Sequence, residues 1–253
     1  MGQLSGRTVV VTGGNGGIGL AMAAAVGAAG ANVVIWGRSA EKNEQALTTL
    51  RARGFVAHAF VCDVSDEDQV VGTLDASADA VGGRIDAVFA NAGIQGSPTD
   101  VLELPLDEWR AVVTGNLDTA FITLRAAARR MVADGGGGSL VAVSSCSAVL
   151  GAGQMVAYGA AKTGVLGLVR ALAVRLATSQ VRVNAMLPGW TLTEMASPSY
   201  ENEKLRAATI RHIPVRRWAE PDEMGPAAVF LADPTITFHT GDSLVIDGGL
   251  TIG

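Results

Sequence analysis

Charge and cysteine are both scarce in this chain. Only 17% of its 253 residues are Asp, Glu, Lys or Arg, and the net charge is −5. The sequence pI is about 5.2. Lys and Arg are scattered, and Arg129-Arg130 and Arg216-Arg217 are only dipeptides. A mildly acidic chain without a basic run has no electrostatic reason to bind nucleic acid or an anionic membrane. The two cysteines, Cys62 and Cys146, form no C-x-x-C pair, and two thiols make no disulfide framework, so a reduced, cytoplasmic setting is expected. The three histidines, His58, His212 and His239, join no Cys or Glu at ligand spacing and accompany no nucleophilic serine. Neither a zinc site nor a Ser-His-Asp triad is therefore expected. Residues 1–6 lack a basic leader or cleavage pattern, and Gly6 stands where a myristoylation signal needs Ser or Thr. A long uncharged run does occur, from Gly16 to Trp36. It is mostly Ala and Gly and closes on a β-branched stretch, which reads as a buried helix and a buried strand, not a membrane span.

What the chain does have is glycine, 32 residues of it, and an apolar fraction of 49%. Short Val/Ile-rich runs alternate with longer amphipathic ones. Expected strands are Thr8–Val11, Val33–Trp36, Val56–Val61, Ala87–Ala90, Leu140–Val143, Val181–Leu187 and Ser243–Ile246. Their continuous apolar character is that of strands buried on both faces of a parallel sheet. Helices are expected over Gly17–Ala29, Glu41–Arg53, Asp66–Val81, Leu106–Gly115, Leu117–Ala133, Val156–Thr178, Asn202–Ile213 and Asp222–Ala232. Alternation throughout, with no linker or internal repeat, predicts a single α/β domain: a doubly wound, seven-stranded parallel sheet of Rossmann type flanked by helices.

Three patterns carry chemistry. The first is Val9-Val10-Val11-Thr12-Gly13-Gly14-Asn15-Gly16-Gly17-Ile18-Gly19, between the first strand and the first helix. Glycines there allow a tight turn and close approach to a pyrophosphate, and the helix N-terminus offers free N–H groups. Two registers fit: G-x-G-x-x-G on Gly14, Gly16 and Gly19, and T-G-x-x-x-G-x-G on Thr12, Gly13, Gly17 and Gly19. The second is the end of strand two, Trp36-Gly37-Arg38-Ser39, which lacks the acid that holds a ribose 2′-hydroxyl in NAD enzymes roughly 20 residues past the glycines. Arg38 would attract a 2′-phosphate, so NADP(H) is favoured over NAD(H). Arg38 stacking on adenine or facing solvent is the alternative. The third is Tyr158-x-x-x-Lys162, with Ser145 upstream. Residues four apart share a helical face about 6 Å apart along its axis. An ammonium beside a phenol favours the phenolate and brings it nearer use as a proton donor and acceptor.

In the order and spacing of these residues the chain resembles the short-chain dehydrogenase/reductase family over essentially its whole length. The match adds Asp63, Asn91-Ala92-Gly93, Asn116, Pro188-Gly189-x-Thr191-x-Thr193 and Asp247-Gly248-Gly249. Departures are small: Ala90 stands where the family often has Asn, and Ala161 where it often has Ser. The resemblance implies an NADP- or NAD-dependent oxidoreductase interconverting a secondary alcohol and a ketone. Tyr158 would be the general acid/base and Ser145 would orient the carbonyl oxygen. Lys162 would hold the nicotinamide ribose and lower the Tyr158 pKa, and Asn116 would bend a helix and hold a relay water. Implied dinucleotide contacts are Gly13, Asn15, Gly17, Ile18, Gly19, Arg38, Ser39, Asp63, Val64, Asn91, Ala92, Gly93, Tyr158, Lys162, Pro188, Gly189, Thr191 and Thr193, with no metal.

Substrate choice is expected from Gln95–Thr99, Cys146–Met155 and the segment from Trp190 to His212, a mobile lid in the family. Gln154 and Met155 are placed towards substrate, Arg206 and Arg211 leave an anionic one open, and Trp190 is read as either a pocket wall or a core residue. Long Ala-rich helices at Leu117–Ala133 and Val156–Thr178 point to a homotetramer or homodimer, the family's habit. Two other readings use the same features: a catalytically silent dinucleotide sensor, and a sugar-nucleotide epimerase or dehydratase of the related longer family.

Overall fold

The computed structural model describes residues 2–151 and 153–253. Met1, and Ala152 within the expected substrate loop, lie outside the described residues. Seven strands, β1 (Thr8–Thr12), β2 (Asn32–Gly37), β3 (Ala57–Val61), β4 (Ala87–Ala90), β5 (Gly138–Val143), β6 (Val181–Pro188) and β7 (Ser243–Ile246), form one sheet in the order β3-β2-β1-β4-β5-β6-β7. Every pairing is parallel.

The period-two alternation of side chains divides each strand between two cores. Val9, Val11, Val33, Ile35, Phe89 and Val141 face α1 (Gly17–Ala28), α2 (Ala40–Ala52) and α9 (Gly225–Ala232). Val10, Val34, Trp36, Val88 and Leu140 face α3 (Glu67–Ala80), α5 (Thr119–Asp134) and α6 (Val156–Leu176). Burial on both faces is why the strands read as unbroken apolar runs. The chain doubles back beyond β3 to place β4 beside β1, so the order reverses between these two strands. Their carboxyl ends open a crevice of the kind in which open α/β sheets bind ligands.

Most boundaries fall within two residues of expectation, and the departures have local causes. The two helices expected on either side of Asn116 are one rod. α4 (Leu106–Val113) runs through a π-helical turn, Thr114–Asp118, into α5. Within the turn, Asn116 Nδ2 donates to the Val112 carbonyl at 2.8 Å, taking the acceptor that an α-helical N–H of residue 116 would use. The helix expected from Asp222 begins as a tight 3₁₀ turn over Pro221–Met224, because Pro226 has no N–H to continue an α ladder from Asp222. Between β6 and α9 the chain folds into two short helices, α7 (Ser197–Glu201) and α8 (Glu203–His212), where a single helix is expected. Asn202 separates them in extended geometry and caps α8, accepting from the Leu205 amide at 3.1 Å.

Candidate active site

A cavity of about 740 Å³ lies along the carboxyl edge of the sheet, from the β1–α1 loop to the foot of α6. Its glycine-rich end is an open helix terminus. The N-cap of α1 is Gly16, with no side-chain cap and no acid in the first turn. The leading N–H groups of α1 thus face a cavity bordered by Gly13, Asn15, Gly17, Ile18 and Gly19. Uncapped donors and a positive dipole end suit a phosphate. Thr12 ties the loop to the next strand. Its hydroxyl accepts from the Asn91 and Ala92 amides, each at 3.0 Å, while Asn91 Nδ2 donates to the Thr12 carbonyl at 2.9 Å. This draws Asn91-Ala92-Gly93 against the loop.

The other end is built from β5 and α6. Ser145 follows β5 and accepts from the Ser147 amide at 3.1 Å. Tyr158 is the third residue of α6 and Lys162 lies one turn on. Lys162 is 4% exposed, and its Nζ donates to the Val143 carbonyl at 3.0 Å. That Nζ stands 5.5 Å from the centre of the Tyr158 ring. Asn116 joins them from the π turn. It is 1% exposed, with Nδ2 donating to the Ile94 carbonyl at 2.7 Å as well as to Val112, and its Oδ1 has no partner among the described residues. Gly93 lies against both: a Cβ there would come within 2.6 Å of Asn116 Oδ1 and 3.4 Å of Lys162 Nζ. Only glycine leaves that corner open.

The electrostatics differ from expectation. Burial pushes the Tyr158 phenol up to about 12, against a weaker opposing hydrogen bond from Ser145. Burial alone pulls the Lys162 ammonium down to about 8. Desolvation acts on both groups and favours both neutral forms. Cys146 borders the cavity too, and burial raises its thiol, which makes it a packing residue and not a nucleophile.

Of the expected dinucleotide contacts, Pro188, Gly189, Thr191 and Thr193 also border the cavity. Arg38, Ser39, Asp63 and Val64 do not; they lie at the adjoining ends of β2 and β3. Ser39 caps α2, accepting from the Lys42 amide at 3.2 Å. Asp63 is held below the usual carboxylate range by the Ser65 amide and hydroxyl, with Arg38 adding to the effect. Among expected substrate residues, Gln95 and Met155 border the cavity, but Gln154, Arg206 and Arg211 do not. Arg206 instead lies over the Tyr200 ring at 5.1 Å. Trp190 is half-buried and borders the cavity, as the wall reading has it; the buried core tryptophan is Trp218, on which it stacks at 4.6 Å.

Lys42 and Gln45 border the cavity without having been singled out for it, while His212 ends the expected Trp190–His212 segment. Lys42 pairs with Glu194 at 2.8 Å. The Ser39 cap sets the phase of α2, and residues 42 and 45 then share one face, so the N-cap was the signal available. Among the described residues no group of three or more His, Cys, Asp or Glu could hold a metal ion. No described helix is long and apolar enough to cross a membrane.

A family model described as enoyl-(acyl carrier protein) reductase matches residues 13–251. D-threitol dehydrogenase of Mycolicibacterium smegmatis is 37% identical over 251 residues, 99% of this chain and 95% of its own. 5-Keto-D-gluconate 5-reductase of Escherichia coli is 32% identical over 250 residues, 99% of this chain and 97% of its own. Among solved structures, a gluconate 5-dehydrogenase from Burkholderia cenocepacia in complex with NADP and tartrate superposes with a TM-score of 0.93. It is 33% identical, and the match covers 99% of this chain and 97% of that one.

The buried lysine has a consequence for stability. With a folded pKa near 8 against 10.5 for an ordinary lysine, Lys162 binds fewer protons in the folded state across that window. Stability therefore rises with pH through it, by up to ~3 kcal/mol. Denaturant titrations of ligand-free protein from pH 8 to 10.5 should show this gain, and Lys162→Met should flatten it. A wild-type stability that falls over the same range would contradict the assignment.

Proposed function

The chain belongs to the short-chain dehydrogenase/reductase family, and we propose that it interconverts a small hydroxylated ketone and its secondary alcohol with NADP(H). The reading rests on one observation: Ser145, Tyr158, Lys162 and Asn116 border the same cavity as the uncapped start of α1.

Reduction needs a proton for the carbonyl oxygen. Tyr158 donates it, and its raised pKa keeps the hydroxyl protonated and available. Ser145 hydrogen-bonds the same oxygen and fixes its position. Lys162 Nζ holds the nicotinamide ribose hydroxyls. The unpaired Asn116 Oδ1 holds a water through which the proton lost by Tyr158 is replaced from solvent. When bound, a reduced dinucleotide would supply the hydride for the carbonyl carbon, which with the Tyr158 proton balances to the alcohol. The site fits that cofactor: the glycine loop and α1 take the pyrophosphate, Asn91-Ala92-Gly93 the adenosine side, and Pro188, Gly189, Thr191 and Thr193 the nicotinamide side.

NADP is favoured at the end of β2. Gly37 carries no acid, and a Cβ there would collide with the Asn15 and Asn43 side chains. Its carbonyl already accepts from Asn43 Nδ2 at 3.0 Å and the Cys62 amide at 3.3 Å. A ribose 2′-hydroxyl finds no free acceptor on that residue, whereas Arg38 offers donors to a 2′-phosphate.

The substrate reading rests on the cavity wall and the relatives. Gln95, Ser147, Thr209 and His212 interrupt a lining of Leu150, Met155, Trp190 and Met195. His212 Nδ1 lies 2.8 Å from the Ala208 carbonyl, which can only accept, so Nδ1 carries a proton and Nε2 is left for a substrate hydroxyl. D-threitol dehydrogenase and 5-keto-D-gluconate 5-reductase are named for hydroxylated compounds of this kind. The segment 190–213 acts as the lid. Free, buried Cys62 and Cys146 fit work in the reducing cytoplasm.

NADPH and NADH assayed against a panel of simple and hydroxylated ketones test this reading. Hydroxylated ketones with NADPH should turn over fastest. Tyr158→Phe should cost about 10²–10⁴-fold in turnover while NADPH binding persists, and Arg38→Ala should narrow the NADPH preference about ten-fold. Full activity of Tyr158→Phe would reject the proton-donor role. An unchanged preference in Arg38→Ala would reject the phosphate contact.

We also propose a homotetramer. α5 leaves Phe121 39% and Val132 44% exposed, and α6 leaves Val174 82% exposed, apolar surface that the sheet does not cover. Light scattering should give the mass of four chains; a 25.8 kDa particle would reject the assembly.

A further inference from the structure

A polar residue interrupts the apolar stripe of α2. The inward face of that helix is Asn43, Ala46, Leu47 and Leu50, and Asn43 is 4% exposed. A buried carboxamide is costly unless its hydrogen bonds are made. Asn43 makes three. Its Nδ2 donates to the Gly37 and Phe60 carbonyls, each at 3.0 Å, and its Oδ1 accepts from Asn15 Nδ2 at 2.7 Å. Helix α2, strands β2 and β3 and the glycine-rich loop thus meet on one side chain.

The network leaves no choice of orientation. Two carbonyls can only accept, so the nitrogen of Asn43 must face them. Its oxygen must then face Asn15, and Asn15 must answer with its nitrogen. The Asn15 oxygen is left over. Asn15 borders the cavity among glycines, and its Oδ1 has no hydrogen-bond partner among the described residues. Without Asn43 the Asn15 amide would be free to turn either way.

We propose that Asn43 is a positioning residue for the dinucleotide: it locks Asn15 so that a carboxamide oxygen, and not a nitrogen, meets the adenosine ribose. An acceptor there suits a hydroxyl and opposes a phosphate, so its partner is the ribose 3′-hydroxyl, which NADP and NAD share. The inference rests on the cavity holding a dinucleotide. It assigns Asn43 to affinity for both cofactors, in contrast to Arg38, which separates them.

A double-mutant cycle tests it, with the dissociation constants of NADPH and NADH read from nicotinamide fluorescence and the unfolding temperature of each ligand-free variant read alongside. Asn15→Ala should weaken both nucleotides about five- to ten-fold, the worth of one hydrogen bond, and Asn43→Leu should weaken both by less, about two- to three-fold, because it frees the Asn15 amide to turn without removing it. The double variant should be no weaker than Asn15→Ala alone, because Asn43 acts on the nucleotide only through Asn15. Asn15→Ala leaves both carbonyl bonds of Asn43 in place and serves if Asn43→Leu does not fold. A lower unfolding temperature in Asn43→Leu with unchanged dissociation constants would make Asn43 purely structural and overturn the inference, as would multiplicative losses in the double variant. Failure of the wild-type protein to bind either nucleotide would overturn both this inference and the oxidoreductase reading. Normal wild-type binding with no effect of the substitutions would overturn this inference alone.

Discussion

A lysine ammonium buried beneath a tyrosine ring is the constraint on which the α6 end of the cavity turns. Lys162 reaches its place because the Val143 carbonyl, the last of β5, is directed at it. It stays there because α6 packs along the sheet and closes off water. The helix repeat then sets Tyr158 above it without further provision. The same burial sets both proton affinities, up for the phenol and down for the amine. The site is therefore built around a phenol held in its protonated form.

The dinucleotide end obeys a different rule. Among the described residues no charged side chain anchors the glycine-rich loop; backbone donors, the Thr12 hydroxyl and the carboxamides of Asn15, Asn43 and Asn91 do. Thr12 fastens it to the strand on one side, and Asn15 with Asn43 fastens it to β2, β3 and α2 on the other. Neutral anchors leave the uncapped N-terminus of α1 as the dominant local field. Lys42 is paired with Glu194 and so adds little net charge. A loop fixed in this way needs little rearrangement to accept a phosphate.

Much of this was legible in the residues. Unbroken Val runs gave the parallel sheet, since strands covered on both faces have no polar side to show. The Tyr158 and Lys162 spacing, the glycines after β1, and Ser145 at the end of β5 placed one crevice. Asn43 was not found because a lone Asn in an amphipathic helix looks like surface until the phase of that helix is known, and the phase came from the Ser39 cap. The continuous rod through Asn116 was hidden for a related reason: a side chain replacing a backbone donor leaves no mark in hydrophobic periodicity. The direction of the Tyr158 shift was missed because adjacency of opposite character is visible in sequence and depth of burial is not.

The state of the buried phenol can be measured directly. The chain has only two tyrosines, Tyr158 and Tyr200, so carbon-13 labelling at the phenolic carbon gives two signals, assigned by the Tyr158→Phe variant. A pH titration by NMR of the ligand-free protein should leave the Tyr158 signal in its protonated position until the pH approaches about 12. Saturating NADP⁺, which brings a positive ring into the cavity, should move that transition downward. A Tyr158 signal already ionised near neutral pH in the ligand-free protein would contradict the account.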